Sequence, residues 1–308
     1  MIKDISIIFM SIFFESLPFL LLGSVISSVI EVFVSNDFIR KINFKNKLLN
    51  SLLGVFMGFF IPSCDCAVIP VSKRLLKKNV PISTVISFTL ASPIINPVVL
   101  FSSFTAFKNV NMSIFYKRLV IGILISIIIG IIMEYIFKDK DVVLDNEDNC
   151  ECFDSCEIDM GELERYRKNR YKDKFINVLR HTVIDFFEVV KYLVIGALIA
   201  SIFEVVIPRS ILAFFNSNII ISTLSLMIFA YLLSLCSTSD SFVGKSLLNI
   251  FEENSIVAYL VLGPMIDIKN TIVLLGNYNK KYTIVLIILI FIFTFLFSIG
   301  ASFIWENI

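Results

Sequence analysis

Residues 282–305 read YTIVLIILIFIFTFLFSIGASFIW, twenty-four positions without one charged side chain. As a helix at 1.5 Å per residue this stretch is ~36 Å long, enough to cross the ~30 Å hydrocarbon core of a bilayer. A segment apolar all round has no face to offer water. In lipid it must satisfy its backbone internally, which a helix does. Comparable apolar segments lie at 5–34, 48–61, 80–107, 119–137, 182–207, 218–235 and 255–276. The reading is an all-α integral membrane protein with about eight transmembrane helices, placed in the cell (inner or plasma) membrane.

The bulk composition agrees. Of 308 residues, 57% are hydrophobic, and mean hydropathy is +0.86. A net charge of +1 leaves no global field to recruit nucleic acid. The first block is expected to be retained: Lys3 and Asp4 precede a run that carries Glu15 and lacks a small-x-small cleavage site.

The pattern stops and restarts. Residues 138–176 are rich in charge and cannot span, and they divide the chain into a first transmembrane repeat (1–137), a polar cytoplasmic loop (138–176) and a second repeat (177–308). Glu15 and Glu188 are 173 residues apart, as are Gly23 and Gly196, and Glu31 and Glu204. Cys64 and Cys236 are 172 apart, and Pro93 and Pro264, like Asn96 and Asp267, are 171 apart. Landmarks in register with a drift of two residues are what a duplicated bundle with small indels gives. The expectation is two pseudo-symmetric four-helix repeats with proline-broken helices, in parallel orientation, with both chain ends on the loop side. That arrangement puts 15 cationic residues on the loop side and 10 on the other, favouring a cytoplasmic loop. If the short 48–61 segment is re-entrant, the count changes and the repeats become inverted.

Chemistry concentrates at three places. In Pro62-Ser63-Cys64-Asp65-Cys66, a proline-initiated turn lets two thiols serve one soft ligand, with Cys236 as a third donor from the other half. In Ala91-Ser92-Pro93-Ile94-Ile95-Asn96-Pro97 and Leu262-Gly263-Pro264-Met265-Ile266-Asp267, a polar side chain follows a proline by three residues inside apolar sequence. Broken helices of this kind supply dipole ends and free backbone groups to transporter sites. An intramembrane acid such as Asp267 is a functional candidate, and Lys269 and Asn270 follow it. The third place is the Cys150, Cys152 and Cys156 cluster on the loop, a candidate for metal capture or redox sensing whose spacing matches no structural zinc site. Glu15 and Glu188 are candidates to carry a coupling proton. Lys191 at i+3 offers Glu188 an ion-pair partner, and Pro18 stands at the equivalent place beside Glu15. Gly23 and Gly196 suit close helix packing. His181 is the only histidine, and there is no phosphate-cradling glycine loop, no HExxH and no paired nucleophile and base, so an enzyme is not expected. No cofactor is expected.

These motifs resemble a family of uncharacterised permeases, UPF0718, that includes the organoarsenical efflux permease ArsP. The resemblance rests on Pro62 to Cys66, Ala91 to Pro97, Cys236-Ser237-Thr238-Ser239-Asp240-Ser241-Phe242 and Gly263 to Asn270, and covers most of the chain outside 138–176. It implies an eight-helix permease that exports trivalent organoarsenicals, with Cys64, Cys66 and Cys236 as the family's cysteines. It also implies a second small membrane subunit as a partner. Asp65 stands where a small residue is more usual, and an acid between thiols suits a cation better than neutral methylarsenite. The expected function is a permease for a small thiophilic solute, sited between the halves. Its substrate contacts would come from Cys64, Asp65, Cys66, Ser92, Pro93, Asn96, Cys236, Asp240, Gly263, Pro264, Asp267 and Asn270. The alternatives are a thiophilic metal-ion permease, a membrane thiol redox or sensor protein, a subunit of a two-component permease, and a non-transporting scaffold.

Overall fold

The computed structural model describes residues 2–33, 44, 46–61, 65–137, 142–143, 170–206, 218–233, 236–248 and 250–305. Among them are twelve helices. Six precede the polar loop: α1 (Ile2–Phe33), α2 (Lys47–Phe60), α3 (Asp65–Lys77), α4 (Ile82–Ile95), α5 (Pro97–Phe107) and α6 (Met112–Ile136). Six follow it: α7 (Arg170–Val206), α8 (Ile219–Leu233), α9 (Ser237–Leu247), α10 (Glu253–Met265), α11 (Ile268–Asn277) and α12 (Lys280–Trp305). The one described β-contact is an isolated bridge between Val143 and Tyr278.

Local chemistry sets several of these starts. The side chain of Asn111 accepts from Ser113 N at 3.0 Å at the head of α6, and Asn279 accepts from Lys281 N at 3.2 Å at the head of α12. Asn96 and Asp267 do the same for α5 and α11. A short polar side chain at the N-cap satisfies an amide that no preceding turn can reach. Pro97 at the first position of α5 loses nothing by lacking an N–H there.

By length and apolarity, five stretches are able to cross a bilayer: Lys3–Val32, Met112–Ile136, Ile176–Val206, Glu253–Asn277 and Lys280–Ala301. The pair α4–α5, bent by 40° at Asn96, makes a sixth. The helices α2 and α8 are apolar but only 14 and 15 residues long, ~22 Å each. The structure therefore gives a multi-pass helical membrane protein with, among the described residues, five or six helical stretches long enough to span and two shorter apolar helices, α2 and α8.

Helix directions follow from which residues meet. Ser28 lies against Thr182 and Ser27 against Asp185, while Ile12 packs with Ala197 and Ala200, so α1 and α7 are antiparallel. Gly23, Ser27 and Glu31 meet Ala67, Pro70 and Arg74 in the same order, so α3 runs parallel to α1. Gly54 meets Thr84 and Gly58 meets Ser92, so α2 is parallel to α4. Ser87 bonds Ser126 and Ser83 meets Glu134, so α4 opposes α6. Lys117 reaches Asn254, near the starts of both helices, so α10 is parallel to α6.

Contacts in the second half complete the set. Thr223 meets Ser255 and Ala230 faces Gly263, so α8 is parallel to α10. Gly244 packs on Leu260 and Asp240 on Gly263, so α9 opposes α10. Gly196 packs on Lys269 and Tyr192 on Gly276, so α11 opposes α7. Followed through these contacts, α2 runs opposite to α3 and α8 opposite to α9, and α7 to α11 run opposite to α1 to α5 taken in order.

At the centre are the two broken spans. Apart from Thr89, every residue of α4 is buried, and from Asn254 onward every residue of α10 is buried. The outer helices α1 and α12 keep most of their apolar side chains on the surface, where lipid replaces water as their solvent.

Candidate functional site

At each break the polar residue singled out from sequence serves the backbone. Asn96 Oδ1 accepts from Val98 N at 3.0 Å. Asp267 Oδ1 accepts from Asn270 N at 2.6 Å, its other oxygen lies 3.3 Å from Lys269 Nζ, and its carbonyl accepts from Thr271 Oγ1 at 2.7 Å. Tyr231 OH donates to Thr271 Oγ1 at 3.0 Å, tying α8 to this bend. Ser92, Pro93, Asn96, Gly263, Pro264, Asp267, Lys269 and Asn270 are all buried. The structure brings them together as two matched helix junctions. The breaks do not leave the local amides open, since Ile266 N and Asn96 N still donate back to Leu262 O and Ser92 O.

Next to the second junction is a polar knot that the sequence reading missed. Arg118 of α6 is 2% exposed. Its guanidinium donates to Ser103 Oγ of α5 at 2.6 Å, to Ser241 Oγ of α9 at 2.7 Å and to Ser237 O at 3.4 Å. Asp240 supplies the attracting charge and accepts from Tyr259 OH of α10 at 3.1 Å. A Cβ on Gly263 would sit 3.0 Å from Asp240 Oδ2, so only glycine lets the acid lie this close to α10. The readable signal was a Lys117-Arg118 pair inside the first two turns of an apolar helix, where one cation is able to snorkel and the other must find partners.

The loop-facing ends of α3, α7 and α11 enclose a small cleft of about 30 Å³ lined by Pro70, Lys73, Arg74, Lys77, Asp185, Glu188, Val189 and Asn277. Lys73 Nζ donates to Glu188 Oε1 at 2.6 Å and to Asn277 Oδ1 at 3.1 Å. Arg74 grips Asp185 in a forked pair, 2.6 Å and 3.2 Å, and lies 3.7 Å from Glu31. Such forked, charge-assisted contacts fix orientation as well as supplying energy. Glu188 therefore pairs across helices with Lys73 and not with Lys191 on its own helix. Lys191 instead stands over the Tyr192 ring at 5.1 Å. Asp185, Arg74 and Asn277 were not singled out from sequence, since each looks like one more charge or amide near a helix end.

The remaining candidates separate. Cys236 carries a half-buried thiol at the N-cap of α9, and its Sγ accepts from Thr238 Oγ1 at 3.5 Å. Asp65 and Cys66 open α3, with their side chains outside the described set, and Cys64, Cys150, Cys152 and Cys156 lie outside the described residues. Glu15 is exposed on α1. Gly23 and Gly196 do permit close packing: a Cβ would fall 2.6 Å from Ala67 O and 3.0 Å from Lys269 Cα.

A multi-pass helical body with proline-bearing, bent central spans and buried charges tied across helices suits a membrane permease. The chain belongs to the UPF0718 family of predicted permeases: residues 1–303 match the family described as "ArsP_1: Predicted permease". It is 38% identical over 280 residues to UPF0718 protein YcgR of Bacillus subtilis, covering 91% of this chain and 90% of that one. A Streptococcus mutans protein named as a two-component membrane permease complex subunit is 37% identical over 275 residues, covering 89% and 87%. UPF0718 protein MJ0584 of Methanocaldococcus jannaschii is 26% identical over 124 residues, 40% of this chain and 33% of that one. No solved structure matches the chain.

Proposed function

We propose that this permease is built of two inverted repeats, each with three crossings and one re-entrant hairpin, and that it exports a small thiophilic solute such as a trivalent organoarsenical. The eight apolar segments then comprise six spans and the hairpin arms α2 and α8. The observation that carries this reading is the opposed pair of hairpins. The helices α3 and α9 start within the bundle and run in opposite directions, with Asp65-Cys66 in the first turn of one and Cys236 capping the other. Cys64, Cys66 and Cys236 are the soft donors, Asp65 tunes the charge between them, and the Asn96 and Asp267 caps hold the bends that shape the path.

Charge distribution supports the topology. With inverted halves, nineteen of the 27 Lys and Arg residues fall on the side of the 138–176 loop and six on the other, and Lys191 and Lys269 lie within the membrane. That asymmetry exceeds the one obtained with parallel halves and assigns the loop to the cytoplasm. Both chain ends then face outward.

Two measurements test the proposal. Reporters fused after Ile308 and inserted near Asn149 are expected on opposite sides of the membrane, and reporters on one side refute the inverted halves. In a host stripped of arsenic pumps, cell-associated element is measured under methylarsenite, arsenite, zinc and copper. Lower accumulation of one, lost in Cys64→Ser at equal membrane expression, names the cargo. No difference for any of them removes soft-element export. The name of the Streptococcus mutans relative favours a second reading, in which the chain is one subunit of a two-component permease. Solute movement by the purified chain alone in liposomes excludes that reading.

A further inference from the structure

We infer that the structure is one of two alternating states, closed on the loop side by Lys73–Glu188, and that the opposite state closes the other side by pairing Lys245 with Glu15. The inference rests on the inverted halves proposed above.

The argument is a broken symmetry. The offsets of 171 to 173 residues map each contact in one half onto a counterpart in the other. On the loop side, Gly23 packs on Ala67, which is 0% exposed. The counterpart of this contact joins Gly196 to Ser239, yet Ser239 is half-buried and Gly196 packs on Lys269 instead. The counterpart of Gly196–Lys269 joins Gly23 to Val98. Lys269 is 3% exposed, whereas Val98 is 58% exposed. Lys73 and Glu188 lie 2.6 Å apart, and their counterparts are Lys245 and Glu15. Both of these are exposed, and no ion pair joins them among the described residues.

The differences share one geometry. The C-terminal half of α1 and the N-terminal half of α7 press against α3 and α11 at the loop side. The other ends of α1 and α7 leave the corresponding faces of α9 and α5 uncovered. The antiparallel α1–α7 pair is thus a rocker that has seated on one side only. Rocking it would move Gly23 from Ala67 to Val98 and Gly196 from Lys269 to Ser239, and would exchange one Lys–Glu pair for the other. Inverted repeats make the two seatings near-equivalent in kind, which is how a single packed body holds two states of similar free energy.

The test is zero-length carbodiimide coupling, which joins a lysine to a carboxylate only in ion-pair contact. The full chain in lipid nanodiscs is treated and linked peptides are read by mass spectrometry. Wild type is expected to give both the 73–188 and the 15–245 products. Lys73→Ala is expected to shift the equilibrium between the seatings roughly tenfold toward the opposite one, the factor for ~1.4 kcal/mol, and so to raise the 15–245 product above its wild-type yield. Val98→Trp, at an exposed position where Gly23 must land, is expected to abolish the 15–245 product and keep 73–188. Absence of 15–245 in both wild type and Lys73→Ala overturns the inference. So does a 15–245 yield that Val98→Trp leaves unchanged. Coupling that responds as expected while no element accumulates differently would retain the rocker and remove the thiophilic cargo. Reporters on one side of the membrane with no 15–245 product would remove the inverted halves as well.

Discussion

The two ends of the membrane body are held together in different ways. At the loop side the outer helices are clamped to the centre: α1 and α7 are bound to α3 and α11 through Glu31, Lys73, Arg74, Asp185, Glu188 and Asn277. At the opposite side the centre is bound to itself. Arg118 ties α5, α6 and α9 into one block, and Asp240 and Tyr259 add α10, while α1 and α7 are left outside that network. A permanent lock is fully buried and hydrogen-bonded to several helices at once, as Arg118 is. A reversible one keeps partial exposure and pairs charge with charge, as Lys73 and Glu188 do at 11% and 22% side-chain exposure. The comparison separates what stays fixed during transport from what moves.

The largest effect is expected at the fixed end. Arg118→Leu leaves Asp240 facing α10 without its cation, and removing one member of a buried charged pair costs ~3–5 kcal/mol. Loss of the monodisperse peak in fluorescence-detected size exclusion is the expected readout. A variant as stable as wild type would mean that Arg118 is no lock. Next come the matched bends. Asp267→Ala removes a cap and leaves the buried Lys269 ammonium without its acid, a loss of ~2–3 kcal/mol. Asn96→Ala removes a neutral cap alone, ~1 kcal/mol. Thermal unfolding in detergent should rank the two in that order, and equal shifts would show that the Lys269 pair adds nothing.

Part of this contrast is legible in the sequence. Apolar block length settled the class, and Pro93 and Pro264 marked the two buried central helices that end at a bend. Direction could not be read. A 14-residue apolar helix satisfies hydropathy equally well as a short span or as one arm of a hairpin, and only contacts such as Gly54–Thr84 and Gly23–Ala67 decide. Partner choice was hidden for a related reason. Local spacing offered Glu188 the nearby Lys191, but a helix that packs against another brings Lys73 closer from 115 residues away. Arg118 went unnoticed because its partners are serines and a carbonyl, which carry no charge pattern.

The smallest effect sharpens the comparison most. Lys73→Gln breaks a mostly buried pair but keeps an amide to bond Glu188, and should lower stability by ~1 kcal/mol, while Lys245→Gln at the symmetric position should change it by less than ~0.5 kcal/mol. Thermal shifts at low and high salt check this, because only the Lys73 loss should shrink as salt screens the wild-type pair. In solute flux the ranking should disappear. If each lysine closes one gate, both variants slow turnover to a similar degree, since a cycle is limited by whichever closure fails. A Lys245→Gln protein that is stable and transports at the wild-type rate would make the open end a passive surface and leave the loop-side clamp as the sole gate.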